Sequence, residues 1–329
     1  MVEDKSMKIV ILDGSAANPG DITWGALETL GEVVAYDITS KDQLIERMQG
    51  AECAITNKTV FDRDAFEKLP DLKYIGVLAT GYNVVDLEAA REHGVVVTNV
   101  PEYATFATAQ MTMALLLELT NLVGLHTASV MDGEWCRCPQ FCYFKAPLTE
   151  LCGKTLHIIG LGKIGQRVAQ MASAFGMNVT ATPHKKSLIG TLVEVGGCTV
   201  RCLDFEEGIK NADVVSLHCP LTEETREIIN EKSLALFKPG AILLNVARGP
   251  VINEVAVRKA LDSGLLGGFG CDVVCVEPML PTNPLLGAPH CVITPHTAWT
   301  PVETRIRLID MAAENLKAFL SGKPINQVN

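Results

Sequence analysis

Three side chains of different chemistry each follow a short apolar run. Arg248 stands in Asn245-Val246-Ala247-Arg248-Gly249, Glu277 in Asp272-Val273-Val274-Cys275-Val276-Glu277-Pro278, and His296 in Thr294-Pro295-His296. If these runs are parallel strands, all three side chains belong on the ligand-facing edge of one sheet. A guanidinium grips a carboxylate and its neighbouring carbonyl through paired, charge-assisted hydrogen bonds. An imidazole titrates near neutral pH and can protonate an oxygen that gains negative charge. A carboxylate bonded to that imidazole favours its cationic form and fixes the ring. Together they suit hydride transfer to an α-keto acid. Taken singly, each has a structural alternative: a salt-bridged turn, the start of a loop, a structural histidine.

Hydride chemistry needs a carrier, and an earlier stretch supplies a place for one. In Thr155 to Gly176 an apolar run, Leu156 to Ile159, leads into Gly160-Leu161-Gly162-Lys163-Ile164-Gly165, and helical periodicity follows at Ile164, Val168, Met171, Ala172 and Phe175. Strand, glycine turn and helix start in that order form a dinucleotide-binding fingerprint. Gly160 permits the turn, Gly162 lets a pyrophosphate approach the backbone, and Gly165 lets the helix pack on its strand. The first-turn amides and the helix dipole complete an anion site.

The elements that position these groups alternate. Strand-like runs at 8–12, 31–38, 51–56, 72–78 and 95–100 are separated by helix-like segments such as 41–48 and 86–93, which implies a parallel sheet covered on both faces. Its carboxyl ends carry Asn57-Lys58 and Ala79-Thr80-Gly81-Tyr82-Asn83, where the Gly81 turn could aim N–H groups at a carboxylate. For Lys58 a solvated surface lysine is the competing reading, and for Gly81 an ordinary turn. Residues 105–125 read as one helix, too apolar for a single buried face, which suits a subunit interface or a domain core, and 141–144 as an aromatic loop that also suits an interface. Further strands are expected at 178–182, 213–218, 241–246, 268–274 and 292–294, and a closing amphipathic helix at 303–320.

The 329-residue length predicts two domains, and a net charge of -10 argues against nonspecific nucleic-acid binding. No apolar run approaches the roughly 20 residues of a membrane span. The eleven cysteines and the charged, non-signal-like residues 1–6 read as reduced thiols in a cytoplasmic protein. Cys136, Cys138 and Cys142 lack a second CxxC or paired histidines, so no metal site is expected.

The chain resembles the D-isomer-specific 2-hydroxyacid dehydrogenase family, most closely its glycerate dehydrogenase (hydroxypyruvate reductase) branch. The resemblance runs nearly end to end, through ATGYNVVDLEAA, TNVPEYAT, DGEW, LCGKTLHIIGLGKIG, HCPLT, LLNVARGPVIN, the Asp272 to Pro278 segment and TPHTAW. It implies an α/β protein of two domains. A Rossmann-type doubly wound parallel sheet (102–296) would be inserted in a discontinuous, flavodoxin-like substrate domain (1–101 plus 297–329). An active-site cleft between them and a homodimer through the inserted domain are also implied. Arg248 would bind and polarise a small 2-keto acid, hydroxypyruvate or glyoxylate; His296 would be the acid/base and Glu277 its partner, where the formate dehydrogenase branch would carry Gln. Asp272 would hold the nicotinamide carboxamide. Cys219, Pro220, Val246, Ala247 and Thr105 would border the cofactor, with Lys163 and Ile164 in its glycine loop. Thr80-Gly81 would bind the substrate carboxylate, and Lys58 would lie in the pocket. A nucleotide-sensing corepressor on the same scaffold is the alternative of a different class.

One departure bears on the cofactor. NAD-selective sheets place an acid about 20 residues past the glycines, where it accepts both ribose hydroxyls. Here the strand ends Ala181-Thr182-Pro183-His184-Lys185-Lys186, with no acid. Thr182, His184 and Lys185 or Lys186 can pair a 2'-phosphate, so the reading favours NADP(H) over NAD(H); exposed lysines beside an NAD site are the competing reading.

Overall fold

The computed structural model describes residues 7–329; residues 1–6, the charged segment read above as unlike a signal sequence, lie outside the described residues. The contacts divide the chain into two compact units, Met1–Ala104 with Trp299–Asn329, and Thr105–Ala298.

The first unit holds a wholly parallel sheet of β1 (Lys8–Ile11), β2 (Glu32–Ala35), β3 (Cys53–Thr56), β4 (Tyr74–Val77) and β5 (Val96–Thr98). The strand order β2-β1-β3-β4-β5 is that of flavodoxin-like folds. The central strands are buried on both faces, which is why they read as unbroken apolar runs. One face is covered in part by the closing helix Val302–Leu320, whose Leu308, Ile309, Ala312 and Leu316 pack on Ile9, Ile55 and Tyr74.

The second unit holds β6 (Thr155–Ile159), β7 (Asn178–Thr182), β8 (Leu192–Val195), β9 (Cys198–Cys202), β10 (Val214–Leu217), β11 (Ala241–Asn245), β12 (Leu266–Cys271) and β13 (Cys291–Ile293). Their order is β13-β12-β11-β10-β6-β7-β9-β8, parallel except for β8. The core of that order is the Rossmann pattern, and it reverses direction between β6 and β10. Ligands of such sheets bind where the order reverses, beyond the carboxyl ends of the strands.

Two elements depart from the sequence reading. The segment 105–125 is not one helix: Thr105–Asn121 ends, Leu122 adopts φ +51°, and Val123–Met131 starts a new direction bent by 57°. The Glu118 carboxylate accepts the Gly124 N–H at 3.1 Å and so caps the second helix from the end of the first. Among the described residues no single helix is long and apolar enough to cross a membrane; this bent pair meets the criterion only by length and composition. The second departure is the β8–β9 hairpin, absent from the sequence reading. Its two-residue loop is Gly196-Gly197, with φ +53° and +87°, the left-handed pair that a tight hairpin requires.

Candidate active site

The site in the second unit starts at the switch between β6 and β10. Gly160 has φ +99°, and a Cβ there would lie 2.7 Å from the His218 carbonyl carbon and oxygen at the end of β10. A Cβ on Gly165 would overlap the Gly160 carbonyl oxygen, so these two glycines let turn, strand and helix close on one another. Gly162 differs: no described protein atom outside its chain neighbours and its own helix comes within 4 Å of its Cβ position. Gly162 is the N-cap of helix Lys163–Ala174 and provides no side-chain cap, so first-turn amides and the positive helix end meet whatever approaches. A cradle that a Cβ would narrow, at an uncapped helix start, fits the pyrophosphate of a dinucleotide.

The remaining cofactor candidates follow the same edge. Lys163 is exposed and Ile164 half-buried on the first turn; Cys219 is buried and Pro220 exposed after β10; Val246 and Ala247 are buried after β11; Thr105 is half-buried at the start of its helix. His184 and Lys185 are exposed beyond β7. Thr182 is half-buried, and its hydroxyl lies 3.0 Å from Nε2 of His157 on the neighbouring strand.

Arg248, Glu277 and His296 follow three adjacent strands, β11, β12 and β13. Buried Asn245 closes the first turn: its Nδ2 donates to the Arg248 carbonyl at 3.0 Å, and its Oδ1 accepts the Ala247 N–H at 3.1 Å. The Arg248 guanidinium is anchored at one end, with Nη1 donating to the Ala247 carbonyl at 2.7 Å. Any Cβ on Gly249 would overlap the Val274 carbonyl, so this turn lies directly on the loop that carries Glu277. Glu277 uses both oxygens. Oε1 accepts the Val274 N–H at 3.1 Å, and Oε2 lies 2.7 Å from Nδ1 of His296. Bonded to a carboxylate, Nδ1 carries a proton and Nε2 is the nitrogen free to exchange one.

His296 is held in a conformation that few non-glycine residues adopt, φ +54°. The strain is offset by Asp272, 1% exposed, at the end of β12. Its carbonyl accepts the His296 N–H at 2.8 Å, and its carboxylate accepts the N–H groups of Thr297 and Ala298 at 2.8 and 2.9 Å and the Thr294 hydroxyl at 2.6 Å. Asp272 therefore shapes the histidine turn, in addition to the carboxamide contact the resemblance implies for it. Asn245 and this turn-shaping use of Asp272 escape a reading of the sequence, because both act on backbone that only the fold brings near.

In the first unit, Lys58 follows β3 and Thr80-Gly81 follow β4. The Asp13 carboxylate accepts the N–H groups of Asn57 at 2.7 Å, Lys58 and Thr59 at 2.8 Å, leaving the Lys58 side chain exposed. Asn57 Nδ2 donates to the Leu78 carbonyl at 2.6 Å, and Asn99 Nδ2 to the Thr80 carbonyl at 2.7 Å. Three side chains thus fix both loops.

Residues 113–298, more than half the chain, match the family model described as D-isomer specific 2-hydroxyacid dehydrogenase, NAD binding domain. The chain belongs to that family. It is similar to a hydroxypyruvate reductase of Blautia hydrogenotrophica, 46% identical over 98% of this chain and 100% of the relative. A glycerate dehydrogenase of Methylorubrum extorquens is 37% identical over 98% of each chain. A crystal structure of a Thermus thermophilus protein superposes with a TM-score of 0.84 at 37% identity, covering 98% of this chain and all of that one. Family membership makes this chain an oxidoreductase of 2-hydroxy acids that uses a nicotinamide dinucleotide.

Proposed function

We propose that this dehydrogenase reduces hydroxypyruvate or glyoxylate, the 2-keto acids that its relatives' names point to, and that it accepts NADP(H). The observation that carries the reading is the Glu277–His296 pair, 2.7 Å apart, with the second Glu277 oxygen tied to the Val274 N–H. A bound nicotinamide supplies or takes the hydride. Everything else falls to this chain. Arg248 grips the substrate and stabilises negative charge as it develops on the carbonyl oxygen. His296 delivers the proton from Nε2, and Glu277 holds the ring and its positive charge. The Thr80-Gly81 turn and Lys58 receive the substrate carboxylate, which makes the first unit the substrate domain and the second the nucleotide domain.

NADP(H) is supported by the end of β7 and the residues after it, where Thr182, His184 and Lys185 stand with no acid among residues 181–186. A homodimer joined through the second unit would cover Phe141, 89% exposed, and Met131, 81% exposed, at and beyond the end of the bent helix pair. The cysteines are free, and a reducing cytoplasm suits eleven unpaired thiols.

Replacing His296 or Arg248 by Ala tests the roles. Turnover should fall by about 10²–10⁴ in each variant while circular dichroism and melting stay those of the parent. Parent-like rates in both variants would remove the assignment.

A further inference from the structure

His157 is out of place in β6. It sits between Leu156 and Ile158 with 0% exposure, where an aliphatic side chain would serve the core. The fold nevertheless accommodates it: Gly208 on the covering helix Phe205–Asn211 has no side chain, and a Cβ there would overlap the imidazole. Both ring nitrogens meet hydroxyls of β7, Nδ1 at 2.9 Å from Thr180 Oγ1 and Nε2 at 3.0 Å from Thr182 Oγ1. Burial pushes the ring down to about 4, so at neutral pH it carries one proton, one donor and one acceptor.

The Thr180 hydroxyl lies 2.9 Å from Nδ1 and 3.5 Å from the Leu156 carbonyl, so the ring nitrogen is the nearer acceptor for its proton. With Thr180 donating to Nδ1, the ring proton is on Nε2 and is donated to Thr182 Oγ1, which leaves the Thr182 O–H available to a ligand. Thr182 ends β7, 20 residues after Gly162. That is where an NAD-selective sheet carries a carboxylate that accepts from the ribose. Here the same place carries a donor.

We infer that His157 is a positioning residue for cofactor selectivity, orienting the Thr182 hydroxyl to donate to the 2'-phosphate of NADP(H). The inference rests on the NADP(H) reading above and names the buried group that enforces it. His184 and Lys185 are exposed and attract an anion without fixing its direction. The Thr180–His157–Thr182 chain fixes one donor in direction. A hydrogen bond to a doubly charged phosphate is stronger than one to a neutral 2'-hydroxyl, and the difference appears as preference.

Calorimetric titration with 2',5'-ADP and 5'-AMP isolates the phosphate without turnover. The parent should bind 2',5'-ADP about tenfold more tightly or better. Thr182→Val and His157→Leu should each remove most of that ratio, Thr182→Ser should keep it, and the double variant should be no worse than Thr182→Val alone, because both changes act through one hydroxyl. In turnover, Thr182→Val should lower kcat/KM for NADPH by a larger factor than kcat/KM for NADH. Nitrogen NMR of the parent should show His157 protonated on Nε2. A parent-like ratio in Thr182→Val, or a His157 protonated on Nδ1, overturns the inference and leaves the NADP(H) reading standing. A parent that does not distinguish the two nucleotides overturns both. The threonine variants and the parent spectrum remain decisive even if His157→Leu does not fold.

Discussion

The carboxyl edges of the two sheets solve the same problem in opposite ways. After β3, successive backbone N–H groups of residues 57–59 converge, and the chain meets them with its own anion, the Asp13 carboxylate. After β6, the amides of the first turn of helix Lys163–Ala174 also converge, and Gly162 offers no side-chain cap. Amides of the first kind are structural and serve to aim what the loop carries, here Lys58. Amides of the second kind are left for the anion of a ligand, the role proposed for them in holding the dinucleotide. Whether an amide cluster is a strut or a receptor therefore depends on whether a carboxylate of the same fold reaches it.

Substitutions at the two edges should separate along that line. The largest effect is expected at Gly160→Ala, where a left-handed backbone and the His218 carbonyl both oppose a methyl group. A loss of about 4 kcal/mol in urea unfolding follows, and cofactor binding should go with it. A parent-like stability would show that the turn is looser than its contacts indicate.

The edges also differ in acid. Burial pushes His157 down to about 4 and His218 to about 3, and both imidazoles belong to the second unit. An unfolded histidine takes up its proton near 6.5, whereas the folded ring resists. Their contribution is complete above that pH and drains away as pH falls towards 4, roughly 3 kcal/mol for His157 alone. Hydrogen exchange at falling pH should show the second unit opening first, and His157→Leu should flatten its slope. Simultaneous opening of both units would erase the contrast.

Asp13→Ala should cost about 2 kcal/mol, since it strips three N–H groups of their acceptor, and should raise KM for the keto acid by disordering Lys58. Cofactor affinity should not change. At Gly162→Ala the outcome should be the reverse: stability within about 1 kcal/mol of the parent, because no described protein atom outside its chain neighbours and its own helix meets the new methyl group, but dinucleotide affinity at least about tenfold weaker. If Gly162→Ala lowers the melting point instead, the loop is a strut and the comparison fails.

Much of this is legible in the residues. Apolar runs buried on both faces mark the central parallel strands β3, β4, β10 and β11, and Gly160-Leu161-Gly162-Lys163-Ile164-Gly165 marks the switch point, because the spacing of glycines is local. Arg248, Glu277 and His296 are legible because a strand end is visible as an apolar run that stops. The β8–β9 hairpin escapes notice although Gly196-Gly197 signals it, since its two strands, of which β8 is the sheet edge, mix charged and apolar positions. The break at Leu122 is hidden because a leucine with φ +51° leaves no mark in composition; it is held by Glu118. Asp13 and Asn245 read in sequence only as residues that end strands. Asp13 acts on amides 44 to 46 residues away, a separation that periodicity cannot register. His157 falls within an apolar run, and its partners lie on the next strand.

The most direct test of the proposed chemistry is absorbance loss at the nicotinamide band with hydroxypyruvate and the unmodified protein, run in parallel with NADH and NADPH. Turnover with both, at least as efficient with NADPH, is the predicted result. Turnover with NADH alone would contradict the donor reading of Thr182 and its neighbours, and no turnover of hydroxypyruvate or glyoxylate with either cofactor would contradict the proposed reaction.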